Sequence, residues 1–257
     1  MGKVTSFLRQ HREAYRLLVG IHTHLLALKG RIGLTALKDA NAYGPLFRPW
    51  IPDKDFAALL KTIEPHTLVS PDRCYLLYQL ANQVVTLEGD FWECGVFRGG
   101  TALMFAEILA GKARAKENRA LYLFDTFEGM PEAHPEKDKH KSGDLADTSV
   151  ERVSSLFKGE FQPKIVAGWI PETFKGLEDR RIAFAHVDVD IYQSVVDCCA
   201  FIYPRLAKGA VMVFDDYGFP TCPGARLAVD EFFGDKPEIP MVLPTGQAFI
   251  WRQGTSR

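Results

Sequence analysis

The chain has 257 residues, enough for one large domain or two small ones. Apolar residues make up 47% and charged residues 25%, which excludes a wholly disordered, collagen-like or disulfide-framework protein. With 31 basic and 32 acidic residues the net charge is -1, so no nucleic-acid partner is expected. No apolar run reaches the roughly 18 residues that span a bilayer, so no membrane partner is expected either. Lys3, Arg9, Arg12, Glu13 and Arg16 break up the first 28 residues, unlike the unbroken apolar centre of a signal peptide. Cys74, Cys94, Cys198, Cys199 and Cys222 show no C-x-x-C spacing and read as buried or free thiols of a cytoplasmic protein.

Residues 1 to about 88 look helical and hold no clear alternating strand. Near the start, Phe7, Leu8, Tyr15, Leu18, Val19 and His22 form an amphipathic face for packing on the same domain or on a neighbour. Tyr43, Phe47 and Trp50, among Pro45, Pro49 and Pro52, read as a packed linker or as the wall of a binding site. Ser70-Pro71-Asp72 is a helix start, with Ser as N-cap and Pro at the first helical position. That helix continues through Leu76, Leu77, Leu80 and Val84.

From residue 89 the pattern changes to short apolar runs at 90–96, 121–125, 164–167, 182–188 and 210–215, rich in β-branched and aromatic residues. Helical stretches are predicted over 101–110, 195–206 and 225–233. Strands alternating with helices imply parallel pairing with crossover helices. At the end, 241–243 and 248–251 flank Pro244-Thr245-Gly246 and predict a closing hairpin, hence an antiparallel edge on an open α/β sheet. Residues 128–147 are polar and rich in Gly, Pro, His and Lys, and read as a mobile loop in the position of a lid.

Three predicted strands end in acids: Asp125, then Asp188 and Asp190, then Asp215 and Asp216. Ligands of open α/β sheets bind beyond the carboxyl ends of the strands. Five carboxylates at one edge repel one another unless a positive charge sits among them. Helix capping accounts for one acid per strand end, not for adjacent acids at 215–216 together with the 188/190 pair. Asp188, Asp215 and Asp216 therefore point to a hard divalent cation such as Mg²⁺ or Ca²⁺.

The turn from Glu93 through Gly95, Gly99 and Gly100 to Thr101 follows a strand and opens a helix. Its glycines let the backbone approach a ligand closely, and the helix start offers N–H groups to an anion. The spacing is neither G-x-G-x-x-G nor a P-loop, which disfavours NAD and ATP and leaves a ligand bearing a carboxylate. Asp125, one strand–helix–strand unit later, is placed to accept ribose hydroxyls; otherwise it is a solvated strand end. His186 alternates with Asp188 on an apolar strand and reads as a core histidine. His134 and His140 read as solvated loop residues that would reach the acceptor only on closure of the loop, Tyr192 and Tyr217 as flanking the acids and either lining the pocket or covering the sheet edge, and Cys198 and Cys199 as structural.

Five blocks in register, ECGVFRGGT (93–101), LFDTFEGMP (123–131), AGWIPETF (167–174), VDVDIYQS (187–194) and VFDDYG (213–218), resemble the macrocin O-methyltransferase (TylF/MycF-like) family. VSPDRCYLLY (69–78) is similar to its pre-domain helix, and the likeness covers about residues 66–252. The resemblance implies an α/β class I methyltransferase (Rossmann-like) domain over 66–257, with a mostly parallel seven-stranded sheet and helices on both faces. A helical extension over 1–65 would cover the acceptor or contact another copy of a homo-oligomer.

The resemblance also implies S-adenosyl-L-methionine and Mg²⁺ as cofactors. It implies methylation of a hydroxyl of a sugar on a small-molecule natural product or glycan. The same chemistry on a phenol, catechol or carboxylate is the alternative. Asp188, Asp215 and Asp216 match the metal ligands and Asp190 the general base. Glu93, Gly95, Gly99 and Thr101 match the loop beside the methionine part of the cofactor, Asp125 the ribose acid, and Gly168 and Trp169 a segment near the adenine. Val189 stands where the family has glycine, so the backbone is expected to differ there.

Overall fold

The computed structural model describes residues 48–112, 119–159 and 161–254. The amphipathic face of residues 7–22, Tyr43 and Phe47 lie outside them. Helix α1 (Lys54–Ile63) begins where Asp53 caps it, accepting the Phe56 N–H at 2.9 Å. It lies ahead of residue 66, yet buries Phe56 and Ile63 fully against the helix that follows. Trp50 packs on Tyr75 with ring centroids 6.4 Å apart.

Helix α2 (Pro71–Val84) starts as predicted, with Ser70 at the N-cap position and Pro71 first. The Ser70 hydroxyl makes no capping bond; it accepts from Arg73 Nε at 3.2 Å instead. The serine thus orients a guanidinium rather than closing its own helix.

Strands β1 (Asp90–Cys94), β2 (Leu121–Asp125), β3 (Lys164–Ala167), β4 (Ile182–Val187), β5 (Leu206–Phe214), β6 (Met241–Val242) and β7 (Ala248–Trp251) form one seven-stranded sheet in the order β3-β2-β1-β4-β5-β7-β6. The first five are parallel, and β7 runs antiparallel between β5 and β6. The predicted hairpin is therefore present, and its second strand is the one that joins the sheet interior. Helices α3 (Gly100–Lys112), α4 (Val150–Ser154), α5 (Tyr192–Ile202) and α6 (Pro223–Phe233) are the other α-helices among the described residues.

Two cores flank the sheet. Phe91, Leu121, Leu123, Phe184, Val211 and Val213 face α1, α2 and α3, whereas Trp92, Cys94, Phe124, Ala185, Met212 and Phe214 face α5 and α6. Strand period two assigns these faces. With both faces covered, the central strands read as unbroken apolar runs, the form that parallel sheets take. Among the described residues no helix is long and apolar enough to cross a membrane.

The predicted helix over 195–206 runs instead from Tyr192 to Ile202. Pro204 has no N–H and disfavours helix at the residue before it, so the chain tightens into a short 3₁₀ turn over Tyr203–Arg205. Leu206 then already pairs with Ile182 in the sheet. Five positions on β5 span two on β4 before Val211 meets Phe184, and Gly209 at φ +84° absorbs the excess. The helix pattern and the strand pattern overlap there, and the proline decides between them.

The tips of β1 and β4 touch. At Gly95, φ is +85° and an added Cβ would lie 1.8 Å from the Asp188 carbonyl oxygen. Gly143 has nearly the same φ, +86°, with nothing within 4 Å. Gly143→Ala should cost about 1 kcal/mol, the left-handed strain alone. Gly95→Ala should cost about 1–3 kcal/mol more, because two strand ends must separate. Urea unfolding of the two variants checks this; equal losses would contradict the close approach.

Candidate active site

A cavity of about 440 Å³ opens over the carboxyl ends of β1, β2, β4 and β5. Gly95, Thr101, Asp125, Gly168 and Trp169 line it on one side and Asp188, Asp190 and Asp216 on the other. Glu93, Gly99 and Asp215 stand outside its wall. Gly99 packs its backbone near Leu156 and Val153 instead.

The turn after β1 is held open by Asp125. One carboxylate oxygen accepts the N–H groups of Val96 and Phe97 at 2.7 and 2.9 Å, and the other accepts that of Phe127 at 2.8 Å. A carboxylate has about four acceptor positions, so roughly one is left toward the cavity. That suffices for a hydroxyl from a ligand, and the three backbone bonds make the group rigid.

Behind the acidic wall, Glu93 and Asp215 owe their burial to sheet register. Glu93 on β1 lies level with His186 on β4, and both share the face carrying Phe91 and Phe184. Asp215 follows two residues after Val213 of that face. A buried polar rung results. His186 Nδ1 meets Glu93 Oε1 at 3.0 Å and its Nε2 meets Asp215 Oδ1 at 3.5 Å. Burial opposes a charge on His186, but bonds to Asp215 and Glu93 outweigh it and push the imidazole up to about 10. Burial likewise raises Glu93. The expectation of a core histidine is met, and it is an ionic one.

Asp215 is fully buried and already engaged. Arg73 of α2 ion-pairs with Oδ2, and Gln247 donates to Oδ1 at 2.6 Å. Despite its burial, the hydrogen bond and charge of His186 with the charge of Arg73 hold Asp215 below the usual carboxylate range. Asp188 and Asp216 are pushed well above that range by burial and by each other's neighbours: Asp215 and Asp190 for the first, Asp188 and Asp190 for the second. Cavity-facing carboxylates that cannot all stay ionised, with oxygen as their only donor, fit a hard divalent cation. Asp188 and Asp216 line the cavity, and Asp215 adds its charge from behind.

Asp190 sits at φ +57°, its N–H donating to Asp216 Oδ2 at 2.9 Å. The left-handed residue of this turn is thus Asp190, a type that tolerates it, and not Val189. Valine at 189 therefore needs no left-handed backbone. The Asp190 carboxyl, raised mainly by burial, accepts from Cys222 Sγ at 3.3 Å and lies 3.6 Å from His140 Nε2.

His140 is therefore not simply solvated, and the loop carrying it does not hang free. Asp138 accepts the Tyr192 N–H at 2.9 Å at the start of α5, and Lys139 donates to the Pro220 carbonyl at 2.6 Å. Met130 and Gly143 pair backbone groups across the loop base, and Arg98 ion-pairs with Asp147. Sequence reading missed Arg73, Asp138, Gln247 and Cys222; only Arg73, inside a recognised block, carried a signal. His134 stacks edge-on against Tyr192. Tyr192 and Tyr217 do not line the cavity; they bond Glu231 at 2.6 Å and Asp230 at 2.7 Å, tying the sheet edge to α6.

Residues 61–252 match the family described as Macrocin-O-methyltransferase (TylF). The 8-demethyl-8-(2,3-dimethoxy-alpha-L-rhamnosyl)-tetracenomycin-C 4'-O-methyltransferase of Streptomyces olivaceus is 29% identical over 66% of this chain and 68% of its own. The mycinamicin III 3''-O-methyltransferase of Micromonospora griseorubida is 30% identical over 73% of this chain and 78% of its own. Among solved structures, the O-methyltransferase NovP aligns with a TM-score of 0.65 at 25% identity, covering 74% of this chain and 83% of that one.

His186 supplies a pH test of the buried rung. Its folded value, about 10, lies above the ordinary 6.5, so its contribution is complete below pH 6.5 and is lost as pH rises through about 10. His186→Gln should cost about 3–5 kcal/mol at neutral pH, leaving Glu93 and Asp215 without their shared cation. The gap from wild type should narrow above about pH 10. Urea unfolding at a series of pH values checks both; a gap that widens with pH would contradict the assignment.

Proposed function

The chain belongs to the macrocin O-methyltransferase (TylF) family and is an O-methyltransferase; from that premise we propose that it methylates a sugar hydroxyl of a natural product with S-adenosylmethionine. The tetracenomycin relative is named for a rhamnosyl-bearing compound, which supports a glycosylated acceptor. The observation that carries the reading is the two-sided cavity, with a braced glycine turn and Asp125 on one wall and the carboxylates on the other.

In this reading the backbone at Gly95 and the start of α3 receive the methionine end, Asp125 accepts a ribose hydroxyl, and Gly168 and Trp169 receive the adenine. The acceptor lies against Asp188, Asp190 and Asp216. S-adenosylmethionine held there would supply the methyl group to the acceptor oxygen and would leave as neutral S-adenosylhomocysteine. The hydroxyl proton passes to the Asp190 carboxylate, whose raised pKa favours its holding a proton. Mg²⁺ on Asp188 and Asp216, backed by Asp215, would act as a Lewis acid that lowers the hydroxyl pKa. Residues 1–65 are assigned to covering the acceptor or to contact with a second copy.

Mass spectrometry of methyl transfer to a panel of rhamnosides and their aglycones tests the proposal. Mono-methylated glycoside should form, and untouched aglycone should remain. Asp190→Asn should lower kcat by at least about 10²-fold. Methylation of the aglycone instead, or full activity of Asp190→Asn, would overturn the acceptor or the base respectively.

A further inference from the structure

His140, Asp190 and Cys222 meet at the cavity edge, and nothing in methyl transfer requires a thiol and an imidazole there. We propose that these three side chains form a second cation site, suited to Zn²⁺ or a similar borderline metal and distinct from the all-carboxylate pair Asp188 and Asp216. The part of the proposal that concerns inhibition rests on the methyl-transfer reading above, because occupancy takes the carboxylate assigned as base.

The donor atoms form a nearly equilateral triangle. Cys222 Sγ lies 3.3 Å from Asp190 Oδ1 and 3.5 Å from His140 Nε2, and the third edge, from His140 Nε2 to Asp190 Oδ1, is 3.6 Å. Zinc bond lengths of about 2.3 Å to sulfur and about 2.0–2.1 Å to nitrogen and oxygen, at tetrahedral angles, set donors about 3.3–3.6 Å apart. The triangle is one face of such a tetrahedron. All three residues line the cavity, so a fourth position is open to water or to an acceptor oxygen.

The supporting contacts are also in place. His140 turns its other ring nitrogen, Nδ1, toward Asp144 Oδ2 at 3.3 Å, and the Lys141 N–H fixes that carboxylate at 2.9 Å. A carboxylate behind a histidine is the usual arrangement for holding a metal-binding imidazole in orientation. The Thr221 hydroxyl lies 3.4 Å from Cys222 Sγ, within reach of a thiolate. Nitrogen, sulfur and one oxygen select zinc-like ions over Mg²⁺, which takes oxygen donors. Burial and Asp216 hold the metal-free Cys222 as a thiol, so binding replaces its proton with the metal and releases the proton to solvent.

Co²⁺ titration of metal-free, full-length protein tests the site without any turnover. Wild type should develop the intense visible bands of four-coordinate Co²⁺ and a near-ultraviolet thiolate charge-transfer band. Zn²⁺ should bleach both, and excess Mg²⁺ neither. Cys222→Ser should lose the charge-transfer band, and His140→Ala should weaken Co²⁺ binding at least about tenfold. Asp188→Asn should keep the spectrum.

Should Cys222→Ser fail to fold, the loop variant His140→Ala decides the matter. A wild type with no thiolate band, a band that survives in Cys222→Ser, or unchanged affinity in His140→Ala would overturn the site. Zn²⁺ should also inhibit methyl transfer, with a midpoint at least about tenfold higher in His140→Ala. A normal spectrum without inhibition would remove the blocking role alone, and an inactive protein with the spectrum would count only against the methyl-transfer reading.

Discussion

Repulsion among carboxylates at neighbouring strand tips is the constraint around which this molecule is arranged. Parallel pairing of β4 and β5 brings donor atoms of Asp188 and Asp215 within 4.8 Å of each other, and Asp190 and Asp216 join them. Two like charges at that separation cost about 3 kcal/mol even at an effective dielectric of about 20. The fold answers from both sides. Helix α2 supplies Arg73, oriented by Ser70 and by the Leu68 carbonyl, and β4 supplies the His186 imidazolium beneath. Both cations go to Asp215, the acid outside the cavity. The acids that face it are left short of positive charge, which is the state a cation-binding site requires.

Much of this was readable in the sequence because period and spacing are local. Acids at the ends of apolar runs could be placed at one sheet edge, since parallel strands bring their carboxyl ends together. The turn at 95–101 and the closing hairpin announced themselves through glycine and proline. The end of helix α5 is ambiguous in the sequence, because Leu206 suits a helix pattern as well as a strand and only Pro204 marks the change. The partners that decide the chemistry were not readable. Arg73 and Asp215 lie 142 positions apart, Glu93 and His186 93, and Cys222 and His140 82. No periodicity links such pairs, and the polar composition of residues 128–147 suggested solvation where Asp138 and His140 in fact anchor the loop.

The two walls of the cavity are built by different means. The Asp125 wall is a backbone construction: a carboxylate gathers three N–H groups, and close approach of Gly95 to Asp188 leaves no room for a side chain. The acidic wall is a side-chain construction, in which the left-handed turn at Asp190 aims its carboxyl at Cys222 while its N–H bonds Asp216. Charge on one wall is thus not needed to shape the other. A cofactor surface should keep its form whether or not a metal is bound opposite.

Calorimetric titration of S-adenosylhomocysteine into the purified chain, once with Mg²⁺ and once with EDTA, tests that separation most directly. Binding in both buffers, with affinities within about a factor of ten, is the result the two-wall arrangement predicts. Binding that disappears with EDTA would mean that the cofactor is held through the metal, and absence of binding in both would contradict the assignment of the Asp125 wall.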